Sequence, residues 1–357
     1  MKKSVVFGAG RMGVAVAYAM DKFGHRVYMY DTNQEALDLA RREVPDVITK
    51  LGSENTIEND GYKIIAGSDI VISCLPYHQT EALARKCIKS NIRYCDLGGR
   101  IDVSKSINDF AEEYRGHHDK PIFTDLGLAP GLVNILAEWG YNELGGADNI
   151  RMMVGGLPVS RRKNPLKYMV TWSVDGLINE YRDDCEILEG GEIKIVKGMD
   201  GLEIIDSRYL GEMEAFYTSG GASHTIHTMH ERGVGSCSYK TLRHAGHCEI
   251  VRFLIRDCEL SDACLKEIFE KGCCEYNNDD LVVVRVEVEF GSQCWKKEII
   301  VYADAKFSAM QKATAFSLAS VANIMSDRKM DIGSSLAYKD IPFELFKSNL
   351  EKLGIIV

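Results

Sequence analysis

The sequence predicts an α/β protein: a doubly wound parallel sheet followed by a second, α+β domain on a mixed or antiparallel sheet. Three observations carry this. Short apolar runs alternate with helical patterns through the first 130 residues. A glycine-rich turn, Gly8-Ala9-Gly10-Arg11-Met12-Gly13, closes the first run and opens the first helical pattern. After Gly131 the alternation stops, and strand-like runs broken by glycines take over.

The first strand is expected over Ser4–Phe7 and the first helix over Val14–Phe23. A second strand, Arg26–Tyr30, ends at Asp31, and the helical spacing of Glu35–Glu43 stops near Pro45. Asp69–Leu75 reads as a buried strand ending at Pro76, followed by an amphipathic helix over Gln79–Lys89. Ile92–Leu97 and Pro121–Leu126 are further strands, with a helix over Ser104–Tyr114 between them. In the second region, Leu132–Trp139 is helical, and Ile150–Gly155, Tyr168–Ser173 and Ile193–Val196 are strand-like. Val282–Phe290 alternates with period two, predicting a strand with one wet face. Lys297–Tyr302 is its expected hairpin partner across a Gly291–Lys296 turn. Ala309–Met325 is a strongly apolar helix, expected to pack back on the first domain.

The chain has 357 residues, and domains of roughly 100–200 residues suggest two of them. A formal net charge of -9 argues against nucleic acid or an anionic membrane, which attract basic surfaces. No apolar run is long enough to cross a membrane. The 11 cysteines are odd in number and form no CxxC pair, so a reduced, cytoplasmic protein is expected.

The glycine-rich turn is a GxGxxG motif placed between a strand and a helix at the start of the chain. There Gly8 allows the tight turn, Gly10 lets backbone approach a pyrophosphate, and Gly13 lets helix and strand pack. The first helical residues Arg11 and Met12 present the helix N-terminus to that anion. Asp31, about 20 residues on, can accept both ribose hydroxyls of NAD and repel a 2′-phosphate. Thr32 and not an arginine follows it, so NAD is expected over NADP. Cys74, Leu75 and Pro76 end a neighbouring strand and should line the cofactor with backbone, as should Gly98. Together these define a Rossmann domain.

Asp96 and Asp125 sit at strand ends beside glycines, where each is either a site residue or a turn former. Tyr77 follows the Cys74–Pro76 turn. In the second region, Tyr239, Thr241, Arg243 and His247 cluster in sequence. Arg243 is the best carboxylate anchor, because its planar fork binds bidentately; a structural ion pair is the alternative. His224, His227 and His230 are spaced by three, but no familiar ligand set completes them. They read as a solvated loop, with no metal expected.

Taken in order, these segments resemble the saccharopine dehydrogenase-like family, most closely its L-lysine 6-dehydrogenase branch. The resemblance rests on the GxGxxG turn, Asp96-Leu97-Gly98-Gly99, and Asp125-Leu126-Gly127 leading to Ala129-Pro130-Gly131 and Asn134. It continues through Gly155-Gly156-Leu157-Pro158, Glu214-Ala215-Phe216 with Thr218-Ser219-Gly220-Gly221, and Tyr239-Lys240-Thr241 with Arg243, Gly246 and His247. The chain departs from the family at His224–Gly235 and in a shortened C-terminal end. The resemblance implies that the Rossmann domain spans 1–130 plus about 305–357, with 131–304 forming a substrate-binding and dimer-contact domain. A homo-oligomer, a dimer or dimer of dimers, follows from it.

The activity it implies is NAD-dependent oxidative deamination of a terminal amine on an amino-acid substrate, lysine first. Asp96, Asp125 and His247 would carry proton transfer, and Tyr77, Tyr239, Thr241 and Arg243 would bind substrate. The alternatives are saccharopine- or carboxynorspermidine-type chemistry at a secondary amine, which a compact chain disfavours, and a catalytically silent NAD-binding protein.

Overall fold

The structure is a computed structural model and describes residues 1–53, 65–159, 165–273, 279–327 and 335–357. The chain divides into two compact units, Met1–Ile135 with Gln311–Val357, and Leu136–Met310.

The first unit is a six-stranded parallel sheet. Its elements are β1 (Lys3–Phe7), α1 (Arg11–Lys22), β2 (Arg26–Asp31), α2 (Gln34–Glu43), β3 (Ile48–Leu51), β4 (Ile70–Ser73), α3 (Tyr77–Lys89), β5 (Tyr94–Asp96), α4 (Ile101–Glu113) and β6 (Ile122–Phe123). The strand order is β3-β2-β1-β4-β5-β6. Winding therefore reverses between β1 and β4, which opens a crevice at their carboxyl ends. The sheet's runs are continuously apolar because both faces are covered. Val5, Phe7, Val71, Tyr94 and Ile122 form one face of the core with Leu83, Ile88 and Ile107 from α3 and α4. Strand β3 was not anticipated, because Ile48–Leu51 is a short edge strand with two exposed residues. The chain returns late to this sheet: Ser335 bridges in parallel to Ile122, and Leu336 N–H donates to the Ile122 carbonyl at 2.9 Å.

The second unit begins inside helix α5 (Leu132–Leu144). It contains β7 (Asn149–Pro158), α6 (Val174–Arg182), β8 (Asp184–Glu189), β9 (Glu192–Lys197), β10 (Glu203–Ser207), β11 (Gly211–Tyr217), α7 (Thr225–Glu231), β12 (Ser236–His244), α8 (His247–Arg252), α9 (Asp262–Gly272), β13 (Asp280–Phe290) and β14 (Gln293–Tyr302). Its eight-stranded sheet runs β10-β11-β12-β7-β13-β14, with β8 attached at β12 and β9 paired to β8. It is mixed: β12 pairs with β7 in parallel, and β13 pairs with β7 antiparallel. Helices α10 (Ala309–Met325) and α11 (Phe343–Lys352) follow.

Three expectations need correction. Tyr168–Ser173 is not a strand but an irregular lead into α6, with the Ser173 side chain accepting from Gly176 N–H as an N-cap. The hairpin turn is shorter than expected, because β14 already begins at Gln293. Two polar side chains of β13 do not face water either, Arg285 and Glu287 being only 6% and 9% exposed, whereas Glu289 near its end does. They are covered by an ion ladder across the sheet, from Lys240 and Arg151 through Glu203 and Glu287 to Arg285, Glu298 and Lys296.

The start of α10 is held from a distance. Asp280, fully buried at the head of β13, accepts from Ala309 N–H at 2.9 Å and Met310 N–H at 3.0 Å. This carboxylate satisfies donors that a helix leaves orphaned. Asp280→Ala should lower stability by about 1–2 kcal/mol. Thermal unfolding of the purified variant checks this; an unchanged melting temperature would contradict it.

Candidate active site

The cofactor crevice is built by β1, β4 and the start of α1. A Cβ on Gly13 would fall 1.8 Å from the Gly8 carbonyl oxygen, so only glycine lets α1 pack on the end of β1. A Cβ on Gly10 would meet no protein atom within 4 Å, which leaves open space over this backbone. No side chain caps α1 at Gly10, and no acidic residue occupies its first turn. Positive helix-end N–H groups therefore face an open cradle, as a pyrophosphate requires. Gly8, Arg11 and Met12 belong to the same turn. Asp31 stands at the end of β2, its carboxylate accepting from Ala9 N–H at 2.6 Å and Asn33 N–H at 2.8 Å. These bonds fix its direction while leaving acceptor capacity for ribose hydroxyls. Thr32 lies between Asp31 and Asn33. Cys74 follows β4, its backbone N–H donating to the Phe7 carbonyl, with Leu75 and Pro76 leading into α3. Burial pushes the Cys74 thiol up, so it stays protonated. The residues present fit a dinucleotide.

Asp96 and Asp125 come together at the ends of β5 and β6. Asp96 is buried and accepts from Tyr94 Oη at 2.9 Å, Gly98 N–H at 2.9 Å and Asp125 N–H at 3.1 Å. Burial first, then the Asp125 charge, pushes its carboxyl up to about 7. Asp125 holds a left-handed backbone, φ 64°, and its Oδ1 accepts from Ser104 Oγ at 2.7 Å. Gly98, at φ 74°, has no room for a side chain, because a Cβ would lie 2.1 Å from that same Oδ1. Asp96 thus clamps the loop that presents Asp125. Tyr77 opens α3 in this unit, with the Arg100 guanidinium 5.7 Å from its ring centroid.

A second cluster forms in the other unit. Period two along β12 puts Tyr239, Thr241 and Arg243 on one face. The Thr241 hydroxyl pairs with that of Thr218 at 2.7 Å, and Tyr239 packs against the Gly221 backbone. Arg243 is only 3% exposed. Its Nε donates to Tyr181 Oη at 2.9 Å and its Nη1 to the Leu242 carbonyl at 2.9 Å. The guanidinium lies 4.6 Å from the Tyr168 ring centroid. Its register partner Glu214 is not its counter-ion: that carboxylate accepts from Gly246 N–H and Cys248 N–H. Among the described residues, Arg243 has no carboxylate within ion-pair distance.

His247 Nδ1 lies 2.6 Å from the Leu166 carbonyl, which can only accept, so Nδ1 carries the proton. Nε2 is then the acceptor for the Tyr181 hydroxyl at 3.0 Å. Burial first, then the Arg243 charge, lowers the His247 pKa to about 3. Its neutral ring orients Tyr181 under Arg243. Sequence reasoning missed Tyr181, Tyr168 and their neighbour Glu180. Ser173 before Leu177, Ile178 and Tyr181 was the available signal: an N-cap ahead of helical spacing.

The histidine stretch is helix α7, not a loop, and His227 Nε2 contacts Glu186 Oε2 at 2.8 Å. Among the described residues no cluster of three or more histidines, cysteines or carboxylates could hold a metal. No helix among them is long and apolar enough to cross a membrane.

Residues 4–120 match the saccharopine dehydrogenase NADP binding domain, and residues 127–353 match the saccharopine dehydrogenase C-terminal domain. The chain belongs to the saccharopine dehydrogenase family, a family of oxidoreductases. Two curated relatives are the mitochondrial alpha-aminoadipic semialdehyde synthase of Bos taurus and the saccharopine dehydrogenase [NADP(+), L-glutamate-forming] of Saccharomyces cerevisiae. The first is 28% identical over 149 residues, 40% of this chain and 15% of that protein. The second is 24% identical over 216 residues, 58% of this chain and 47% of that protein. The aligned stretch thus spans less than half of either relative. The apo saccharopine dehydrogenase (L-Glu forming) structure from Saccharomyces cerevisiae superposes with a TM-score of 0.74 at 14% identity. It covers 99% of this chain and 98% of that one, which shows the saccharopine dehydrogenase fold.

The His247 geometry has a pH consequence. An unfolded histidine titrates near its ordinary value of about 6.5. Its folded value is lower, so the unfolded state binds the extra proton and stability falls as pH drops below that value. Nitrogen-detected NMR should show His247 Nδ1-protonated and unchanged from pH 5 to 8 (about 1.5 units either side of that value). A midpoint near 6.5 would contradict this.

Proposed function

We propose that the protein oxidises the amine-bearing carbon of an amino acid with NAD, L-lysine being the first substrate to test. Arg243 carries this reading: a buried guanidinium with no carboxylate partner among the described residues is arranged to receive the substrate's own. The dinucleotide supplies the hydride acceptor when bound. The protein's residues do the rest. Arg243, oriented by Tyr181 and His247, fixes the carboxylate end of the amino acid and so selects which carbon reacts. The reacting ammonium, with an ordinary pKa of about 10.4, must first lose a proton. Asp125, presented by Asp96 and Gly98, is proposed as the group that accepts it. Loss of hydride leaves an imine on the substrate; water adds to it, ammonia leaves, and an aldehyde remains.

A second reading has a specific motive. The relatives' names place them at saccharopine and aminoadipic semialdehyde, so cleavage at a secondary amine is the competing reaction. It uses the same anchor and the same acceptor. Preference for NAD over NADP is also proposed from Asp31, although the matched domain is named for NADP. A homo-oligomer remains part of the reading and is checked by sedimentation at micromolar concentration.

Initial rates of NADH formation with lysine and with saccharopine, across pH, test the substrate. Lysine should react, and faster at alkaline pH, as the neutral-amine fraction grows. Turnover of saccharopine with none from lysine would move the assignment to the second reading. Arg243→Ala should raise the amino-acid KM about 10–100-fold while leaving NAD affinity little changed. Asp31→Ala should weaken NAD use and relax discrimination against NADP; equal efficiency with both in the unmodified protein would sink the NAD preference.

A further inference from the structure

Glu180 lies beside the Arg243 anchor and has no part in the reading above. It is the penultimate residue but one of α6 and immediately precedes Tyr181, whose hydroxyl accepts from Arg243. It is partly buried, with Arg243 its principal charged neighbour. Its carboxylate makes no ion pair or hydrogen bond among the described residues, while its backbone carbonyl accepts from Ser219 N–H at 3.0 Å. The groups that feel its charge are Tyr168 ahead of the helix, Tyr181 on it, Cys185 on β8, and Tyr239 and Arg243 on β12. The other charges at this end of α6 are engaged elsewhere, Arg182 with Asp262. A cation and a carboxylate therefore stand near one another, close enough to interact but not bonded.

An unbonded cation and carboxylate on neighbouring elements suit a zwitterion. An α-amino acid carries its carboxylate and its ammonium on the same carbon, so a pocket reading both needs an anchor of each sign side by side. The reacting amine of lysine lies further along the side chain and is remote from this pair. We propose that Glu180 receives the α-ammonium of the amino acid whose carboxylate Arg243 holds, making the protein selective for free α-amino acids. This rests on the amino-acid reading given above and names the substrate class that its pocket accepts.

The unliganded pocket supports it. Burial pushes the Glu180 carboxyl up to about 8, against the opposing pull of Arg243. At neutral pH the carboxyl is mostly protonated, and an incoming ammonium favours its ionised form. Binding should then release a proton, and affinity should rise with pH until the carboxyl is ionised.

The test compares L-lysine with 6-aminohexanoate, which lacks only the α-amine. Binding of each to the full chain and to Glu180→Gln is measured by calorimetry from pH 6 to 8.5, a range of about two units around the value of a raised carboxyl. The proposal expects Glu180→Gln to weaken lysine about tenfold or more and to leave 6-aminohexanoate within about twofold. Lysine affinity should rise by up to about tenfold per pH unit toward pH 8 in the unmodified protein, and lose that slope in the variant. Glu180→Asp, which keeps the charge, should recover part of the lysine affinity, and unchanged melting temperatures confirm folding. Equal weakening of both ligands would show a structural role and overturn the proposal. A loss confined to kcat with both compounds would make Glu180 a base at the reacting amine and also overturn it. If no α-amino acid binds the unmodified protein, the proposal falls together with the amino-acid reading. If lysine binds but yields no NADH, only the activity fails, and the lysine-to-6-aminohexanoate ratio still decides Glu180.

Discussion

The guanidinium of Arg243, buried among tyrosines with no carboxylate at ion-pair distance among the described residues, is the constraint from which the second unit is best understood. Desolvating a cation costs on the order of several kcal/mol, and leaving it unpaired is ordinarily avoided. Here the Tyr181 hydroxyl, the Leu242 carbonyl and the Tyr168 ring offset part of that cost. Tyr181 can accept from Arg243 only because its own proton points at His247, and His247 accepts it only because Leu166 fixes the tautomer. Three side chains and two backbone carbonyls thus hold one charge in one orientation. Glu214, which register would place opposite Arg243, is drawn off by the N–H groups at the start of α8. A site that withholds a counter-ion from a rigidly held cation is prepared for an anionic ligand.

The first unit follows a different constraint, set by topology. Strands β1 and β4 lie side by side where the strand order reverses, and the gap at their carboxyl ends begins at the Gly8–Gly13 turn. Glycines hold the walls of that gap close, and Asp31 marks its far edge. Beside it, the Asp96 clamp forces Asp125 into a left-handed conformation that a non-glycine residue adopts at a cost. Buried strain of this kind persists where the position of a side chain matters, which is the ground for proposing Asp125 as the proton acceptor.

Much of the first unit was legible in the sequence because its signals are local. A GxGxxG turn between a strand and a helix and an acidic residue ending β2 are contiguous patterns, and each corresponds to one turn of backbone. Tyr239, Thr241 and Arg243 were grouped for a similar reason: alternation along one strand puts them on one face. What the sequence hid depends on pairing across distance. Asp280 caps a helix that starts some thirty residues later, through two bonds no local pattern encodes. Arg285 and Glu287 read as a wet face, but neighbouring strands bring Arg151, Glu298 and Lys296 over them. His247 reads as a proton carrier because its type titrates near neutrality; its burial against Arg243, which lowers its pKa, is encoded in no local pattern. Glu180 and Tyr181 carry no motif at all, and their importance comes solely from where α6 lies against β12.

The most direct measurement is a crystal structure of the protein with NADH and a bound amino acid. The account predicts the ligand carboxylate within hydrogen-bond distance of the Arg243 guanidinium, with the Tyr181–His247 contact retained beneath it. A ligand carboxylate bound elsewhere, with Arg243 paired to a carboxylate of the protein itself, would contradict it.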